Sequence, residues 1–298
     1  MTSLLSQVKK GKIRKPYLVL LYGPDGVGKS TFGAMAPSPI FLGTEQGTNE
    51  LDVERLPAPS TWSDVRLGVT ELTNEKHSYK TLVIDSADWL EPILHQSICD
   101  RHNVASIELA AGGYGKGYLE AVTQWSDFTK ALAKLRDTRG MNIIILAHSE
   151  VVKFNDPSTQ SEYDRYQLKL YRKSAALLRE FVDSVLFATF EVHSKKEGQR
   201  TRMFGDGARV MYTERRPAFD AKNRCGLPLV LPLSWDDFDK ASQVDHALDA
   251  GPLADQIKAM ISEIKDPVLV KAVNDSMIGA DVMKLSAIKN RLEVRLGQ

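Results

Sequence analysis

Cysteine is nearly missing from this chain: Cys99 and Cys225 are the only two in 298 residues. Two thiols that far apart exclude a disulfide framework and a cysteine-based zinc site, and fit a reducing compartment. Long apolar runs are missing too. No segment approaches the roughly 20 residues of a membrane-spanning helix, so no membrane partner is expected. The first residues lack the apolar segment of a secretory signal, and the expected location is the cytoplasm. Net charge is small as well: at +1 it excludes a globally basic nucleic-acid binder but leaves room for a local basic patch. What remains, 43% hydrophobic and 26% charged residues, suits one large buried core with an appendage.

Against that background one stretch stands out. Residues 23–30 read Gly23, Pro24, Asp25, Gly26, Val27, Gly28, Lys29, Ser30, directly after an apolar run over 17–22 and before a plausible helix over 31–36. They satisfy G-x-x-x-x-G-K-[ST] in the strand-to-helix context that this phosphate-binding loop requires. The glycines let successive backbone N–H groups turn inward around phosphate oxygens, and the helix N-terminus adds its partial charge. Lys29 would reach the β- and γ-phosphates, Ser30 would offer a hydroxyl to Mg²⁺, and Thr31 would lie near the α-phosphate.

Two acids extend the pattern. A short strand over 40–44 ends at Glu45, which at the C-terminal edge of a parallel sheet would orient or deprotonate an attacking water; a solvated loop glutamate is the alternative. A second strand, residues 80–86, is apolar without alternation, as a strand buried on both faces must be, and ends in Asp85. Asp85 would hold Mg²⁺ through a water, opposite Ser30. Between them the spacing predicts an amphipathic helix over 61–73, capped at Ser60 or Thr61, with Trp62, Val65, Val69 and Leu72 inward. A further helix is expected over 87–101.

Residues 112–118 hold four glycines, Tyr114, Lys116 and Tyr118, a composition that suits single-stranded nucleic acid and equally a plain flexible connection. A helix over 119–139 follows, then the most apolar strand, 142–149, with His148 at its polar end. If that strand lies between those of the loop and Asp85, His148 would face the γ-phosphate; the alternative is a strand cap. Residues 150–173, with Lys153, Arg165 and Lys169, show no clear period and read as a long loop. A helix over 174–183 and a strand over 184–190 come next, then a hairpin pairing 199–204 with 208–213.

The span 195–224 carries nine Lys or Arg against four acids and closes with Lys222, Asn223 and Arg224. Such cations would bind a nucleic-acid backbone or complete a phosphate site, or simply remain solvated. The same choice applies to the basic N-terminal arm, 1–15, which contains Lys9, Lys10, Lys12, Arg14 and Lys15 and no acid. Beyond a core over 16–238, residues 239–252 form an acidic linker, and 253–298 two or three amphipathic helices with a break at Asp266 and Pro267.

This order of parts resembles the RecA-type recombinase core, and more closely the phage nucleotide-binding AAA proteins that include RecA-like single-strand annealing proteins of the Sak class. The resemblance covers about residues 14–238. It implies an α/β fold: a RecA-like P-loop NTPase core with a mainly parallel central sheet, helices on both faces and a small C-terminal helical appendage. It implies a slow ATPase using ATP and Mg²⁺, with Glu45 activating water and His148 linking the γ-phosphate to DNA. The stretches 112–118 and 150–173 fall where such proteins keep their DNA-contacting loops. Lys222 and Arg224 fall where cations reach the ATP of the next subunit in a filament or ring.

The resulting expectation is an ATPase that binds single-stranded DNA and promotes annealing in phage recombination, in the host cytoplasm. The C-terminal helices would hold a single-strand-binding protein or another replication or recombination protein. The absence of RecA's long N-terminal helix and the histidine at position 148 leave strand exchange less expected than annealing or a mediator role. The alternatives are a remodelling or helicase-loading ATPase without annealing activity and, less in keeping with the absence of an Arg-rich lid, a small-molecule phosphotransferase.

Overall fold

The computed structural model describes residues 8, 10–11, 13–44, 49–156, 161–191, 193–197, 200–204, 207–243, 250–262, 264, 266–277, 285, 288–289 and 291–293. Glu45 lies outside them, as do parts of the acidic linker and of the C-terminal segment. In chain order the elements begin with β1 (Leu18–Gly23), α1 (Lys29–Ala34), β2 (Pro39–Gly43), β3 (Glu54–Arg55), α2 (Trp62–Asn74), β4 (Thr81–Asp85) and α3 (Ala87–His102). A 3-10 segment (Ile107–Gly112), α4 (Lys116–Arg139), β5 (Asn142–Asp156), β6 (Ser161–Leu168), α5 (Arg172–Phe181) and β7 (Ser184–Phe190) follow. The rest comprises β8 (His193–Glu197), β9 (Arg200–Phe204), β10 (Arg209–Tyr212), β11 (Lys222–Asn223), β12 (Val230–Pro232), α6 (Trp235–Gln243), α7 (Ala250–Ser262) and α8 (Pro267–Met277). The class is α/β with a central sheet of mostly parallel strands, as the alternation of apolar strands and amphipathic helices predicts.

The chain divides into two compact units, with β5 running through both. The first comprises the chain up to Leu18, residues 37–145 and 171–181. Here β2 pairs in parallel with β3 and with β4, and β4 pairs in parallel with the first residues of β5. On the other side of β5, the Ile143 N–H donates to the carbonyl of Tyr17, directly before β1. β5 therefore runs between the chain leading into the phosphate loop and the strand that ends at Asp85, which was the condition set for His148.

Every residue of β4 is buried, which explains its unbroken apolar pattern. α2 starts at a capping box: Thr61 Oγ1 accepts from Asp64 N, and the Asp64 carboxylate accepts from Thr61 N. Hydrogen bonds from Thr61, backbone first, hold the Asp64 carboxyl below the usual range. Its apolar stripe packs on α4, with the Trp62 ring 5.5 Å from Trp125 and 5.2 Å from Phe128.

The second unit comprises residues 19–36, 146–170 and 182–298. Here β1 pairs in parallel with β7, and β7 also takes β10 and β11 antiparallel. α6 closes against the helix that follows the phosphate loop: Phe32 lies 5.6 Å from Trp235 and 6.1 Å from Phe238. In the C-terminal segment Ile257, Ile261, Leu285 and Leu292 form a small buried cluster.

Two sequence expectations change. Within the stretch 150–173, residues 150–156 and 161–168 are paired strands, where a loop was expected: β5 continues past His148 to Asp156 and pairs antiparallel with β6 from Ser149–Leu168 to Asp156–Ser161. The alternation of β6 is hidden in the sequence because one of its buried positions is an arginine, Arg165. The expected pairing of 199–204 with 208–213 is also replaced. β9 pairs with β8, while β10 joins β7 and β12, so its backbone hydrogen-bonding groups are met on both edges, and Met211 is fully buried there.

Candidate functional site

The phosphate loop belongs to the second unit. β1 delivers it from a strand buried at every residue, and Val27 anchors its middle with no exposed surface. Gly23 is required by close approach, because a Cβ there would lie 2.2 Å from the carbonyl oxygen of Ala188 on β7. Gly28, with φ 104°, caps α1 in the left-handed region, where a side chain is strained. The Lys29 side chain is 6% exposed, and its ammonium donates to the carbonyls of Gly23 at 3.2 Å and Pro24 at 2.9 Å. The ammonium thus sits within the loop. Ser30 is half-buried; Asp25, Gly26 and Thr31 are exposed.

His148 is brought to this loop. From β5 its Nε2 comes within 3.4 Å of the Asp25 carboxylate, and its side chain is only 12% exposed. Arg209 is there as well, unpredicted. A Cβ at Gly28 would lie 3.0 Å from Arg209 Nη1. The sequence offered only a weak signal for it, as one of nine cations in the span 195–224.

In the first unit, Asp85 ends β4 with 3% exposure. The end of β2 is tied to it by Thr44, whose N–H donates to the Asp85 carbonyl at 2.9 Å. The Asp85–Ser86 peptide is cis, and α3 begins one residue later.

Several expected nucleic-acid contacts are engaged elsewhere. Arg165 is 2% exposed, paired with the Asp220 carboxylate and stacked 4.7 Å over the Phe154 ring, so it anchors the hairpin instead of facing solvent. Tyr118 lies inside α4, not in a loop. Its hydroxyl donates to Glu108 at 2.6 Å and its ring stacks 4.8 Å from Tyr171. That hydrogen bond, with burial and the Glu108 charge behind it, pushes the phenol up to about 12. Lys222 donates to the Val182 carbonyl at 2.6 Å, a bond within its own chain. Tyr114, Lys116, Lys153, Lys169 and Arg224 are exposed, Tyr114 completely.

A Gly-Lys-Ser loop of this construction, delivered by a buried parallel strand and closed on its own lysine, defines a P-loop nucleotide-binding protein. The chain belongs to the AAA domain family AAA_24, whose model it matches over residues 15–225. The SPbeta prophage-derived uncharacterized protein YorG of Bacillus subtilis (strain 168) is 23% identical over 149 residues. That match spans 49% of this chain and 44% of YorG, less than half of the relative's length. The crystal structure of the RadB recombinase is matched with 16% identity over 68% of this chain and 84% of that one. The TM-score is 0.39, too slight a likeness to carry a conclusion. Among the described residues no helix is long and apolar enough to cross a membrane.

Proposed function

We propose that this AAA-family protein is an ATPase with a RecA-like core of phage origin, which binds Mg-ATP, hydrolyses it slowly and uses that cycle to control single-stranded DNA binding and annealing. The observation that carries the reading is the course of β5. One continuous strand passes from His148, beside the loop at Asp25, into the hairpin with β6. A contact at His148 that changes with the phosphates would be felt along the same backbone as the hairpin.

The roles follow from residue chemistry. Lys29 holds the β- and γ-phosphates, and the backbone N–H groups within 25–31 surround them. A hydroxyl and a carboxylate, Ser30 and Asp85, are hard oxygen donors of the kind magnesium takes in small number while keeping its waters. When bound, the ion neutralises charge on the phosphate oxygens. Glu45 orients the attacking water. Arg224, exposed where Lys222 is not free to reach, serves the nucleotide of a neighbouring copy in a ring or filament.

For DNA, the supporting residues are the exposed Tyr114 of the turn before α4 and Lys116 at the first position of α4, with Lys153 of the hairpin and Lys169 directly after it. The C-terminal helices take a partner of the replication or recombination machinery.

The test is ATPase rate and mobility on single-stranded DNA, with and without ATP and Mg²⁺, over a salt series. Nucleotide-dependent, salt-sensitive binding with DNA-stimulated turnover is expected. Turnover indifferent to DNA, without binding at low salt, would replace the annealing reading by partner remodelling.

A further inference from the structure

We propose that Arg209 is a nucleotide-binding residue of the same chain, its guanidinium contacting the phosphate groups that loop 23–30 holds; this rests on the nucleotide-binding reading of that loop. Arg209 stands outside the phosphate-loop pattern and far from it in sequence. Its place is fixed by the fold.

β10 lies between β7 and β12, with Arg209 opposite Phe190 in register, and the Leu233 N–H donates to the Arg209 carbonyl at 2.9 Å. Paired on both sides, that backbone has little freedom. It directs the side chain across the loop: a Cβ at Gly28 would meet Arg209 Nη1 at 3.0 Å and Cδ at 3.7 Å, with Leu233 Cδ2 also at 3.7 Å. The guanidinium and an apolar side chain therefore flank the residue immediately before Lys29.

The charge balance points the same way. Arg209 is exposed and, among the described residues, has no carboxylate partner. Its contact with the Phe190 ring, 5.9 Å from the centroid, is at the outer limit of a cation–π interaction and leaves the N–H fork available. The loop's own acid, Asp25, is directed to His148. Lys29 is a buried point charge, whereas an arginine fork suits two oxygens of a phosphate at once. A solvent-accessible second cation on a stiff strand is an arrangement for an anionic ligand that arrives from outside.

The experiment measures equilibrium binding of a fluorescent ADP analogue to the full chain, with inorganic tripolyphosphate as competitor. Wild type, R209A, R209Q and, as a control, K29A are compared, and nucleotide-free melting is followed in parallel. Losing a charge-assisted contact should weaken ADP and tripolyphosphate about tenfold to a hundredfold in both Arg209 variants, with R209Q melting like wild type. R209A and R209Q binding both ligands as wild type does, while K29A fails, would overturn the proposal. So would an affinity loss only in R209A accompanied by a lower melting temperature, which would assign Arg209 to packing. A wild-type chain that binds neither ligand would instead sink the nucleotide reading itself.

Discussion

The phenol of Tyr22 donates to the backbone carbonyl of Asp220 at 2.7 Å and accepts from the amide of the same residue at 3.0 Å. Tyr22 is the residue before Gly23, where the phosphate loop begins. The Asp220 carboxylate meanwhile holds Arg165 of β6. One residue thus ties the root of the loop to the hairpin that follows His148, and aromatic contacts of Phe187 with Tyr22, Tyr166 and Phe219 surround the junction.

Replacing Asp220 by alanine should therefore destabilise the protein by about 3 kcal/mol, because it leaves the buried Arg165 without its counter-charge. Replacing both, Asp220→Ala with Arg165→Met, should recover part of that loss. Urea unfolding of the two single variants and the double variant measures the coupling, and strictly additive losses would refute it.

Gly23→Ala places a methyl group where the Ala188 carbonyl oxygen stands, 2.2 Å away. Backbone cannot yield as a flexible side chain does, so a cost of about 3 kcal/mol or more and loss of nucleotide binding are expected. A variant that melts and binds like wild type would show that β1 and β7 separate readily there.

His95 titrates below the usual histidine range: burial lowers it, and the nearby charges of Glu91 and Glu108 only partly oppose that. Among the described residues its Nε2 has no hydrogen-bond partner. Protons then bind the unfolded chain first, so stability should fall as pH drops below about 6.5 toward the lowered folded value. Unfolding midpoints at successive pH values should lose part of this slope in His95→Phe. An unchanged slope would place the titration elsewhere.

Arg224→Ala and Glu45→Gln should each lower ATP turnover, and mixing the two purified proteins should restore part of it if Arg224 serves a neighbouring copy's nucleotide. Mixed assemblies without any rescue would remove that role.

The nucleotide loop was legible because its chemistry is local. Turn, glycine spacing, lysine and hydroxyl lie within eight consecutive residues, 23–30, so no distant contact is needed to recognise them. The buried strands β1 and β4 were legible for a similar reason, since burial on both faces leaves an apolar run without alternation. The hairpin was not. Its inward arginine is tolerated only because Asp220, far along the chain, neutralises it, and a pattern of polarity carries no record of such a partner.

By itself, then, the sequence determined the class of the protein, the strand-to-helix loop of the phosphate-binding pattern and the acid at the end of β4, all set by short-range geometry and burial. The tertiary structure alone decided which charged side chains remain available. It buries Arg165 against Asp220, spends Lys222 on Val182 and brings Arg209 to Gly28. The physical reason is that a side chain's charge is settled by the neighbour that folding brings to it, and these neighbours arrive from separate strands and turns.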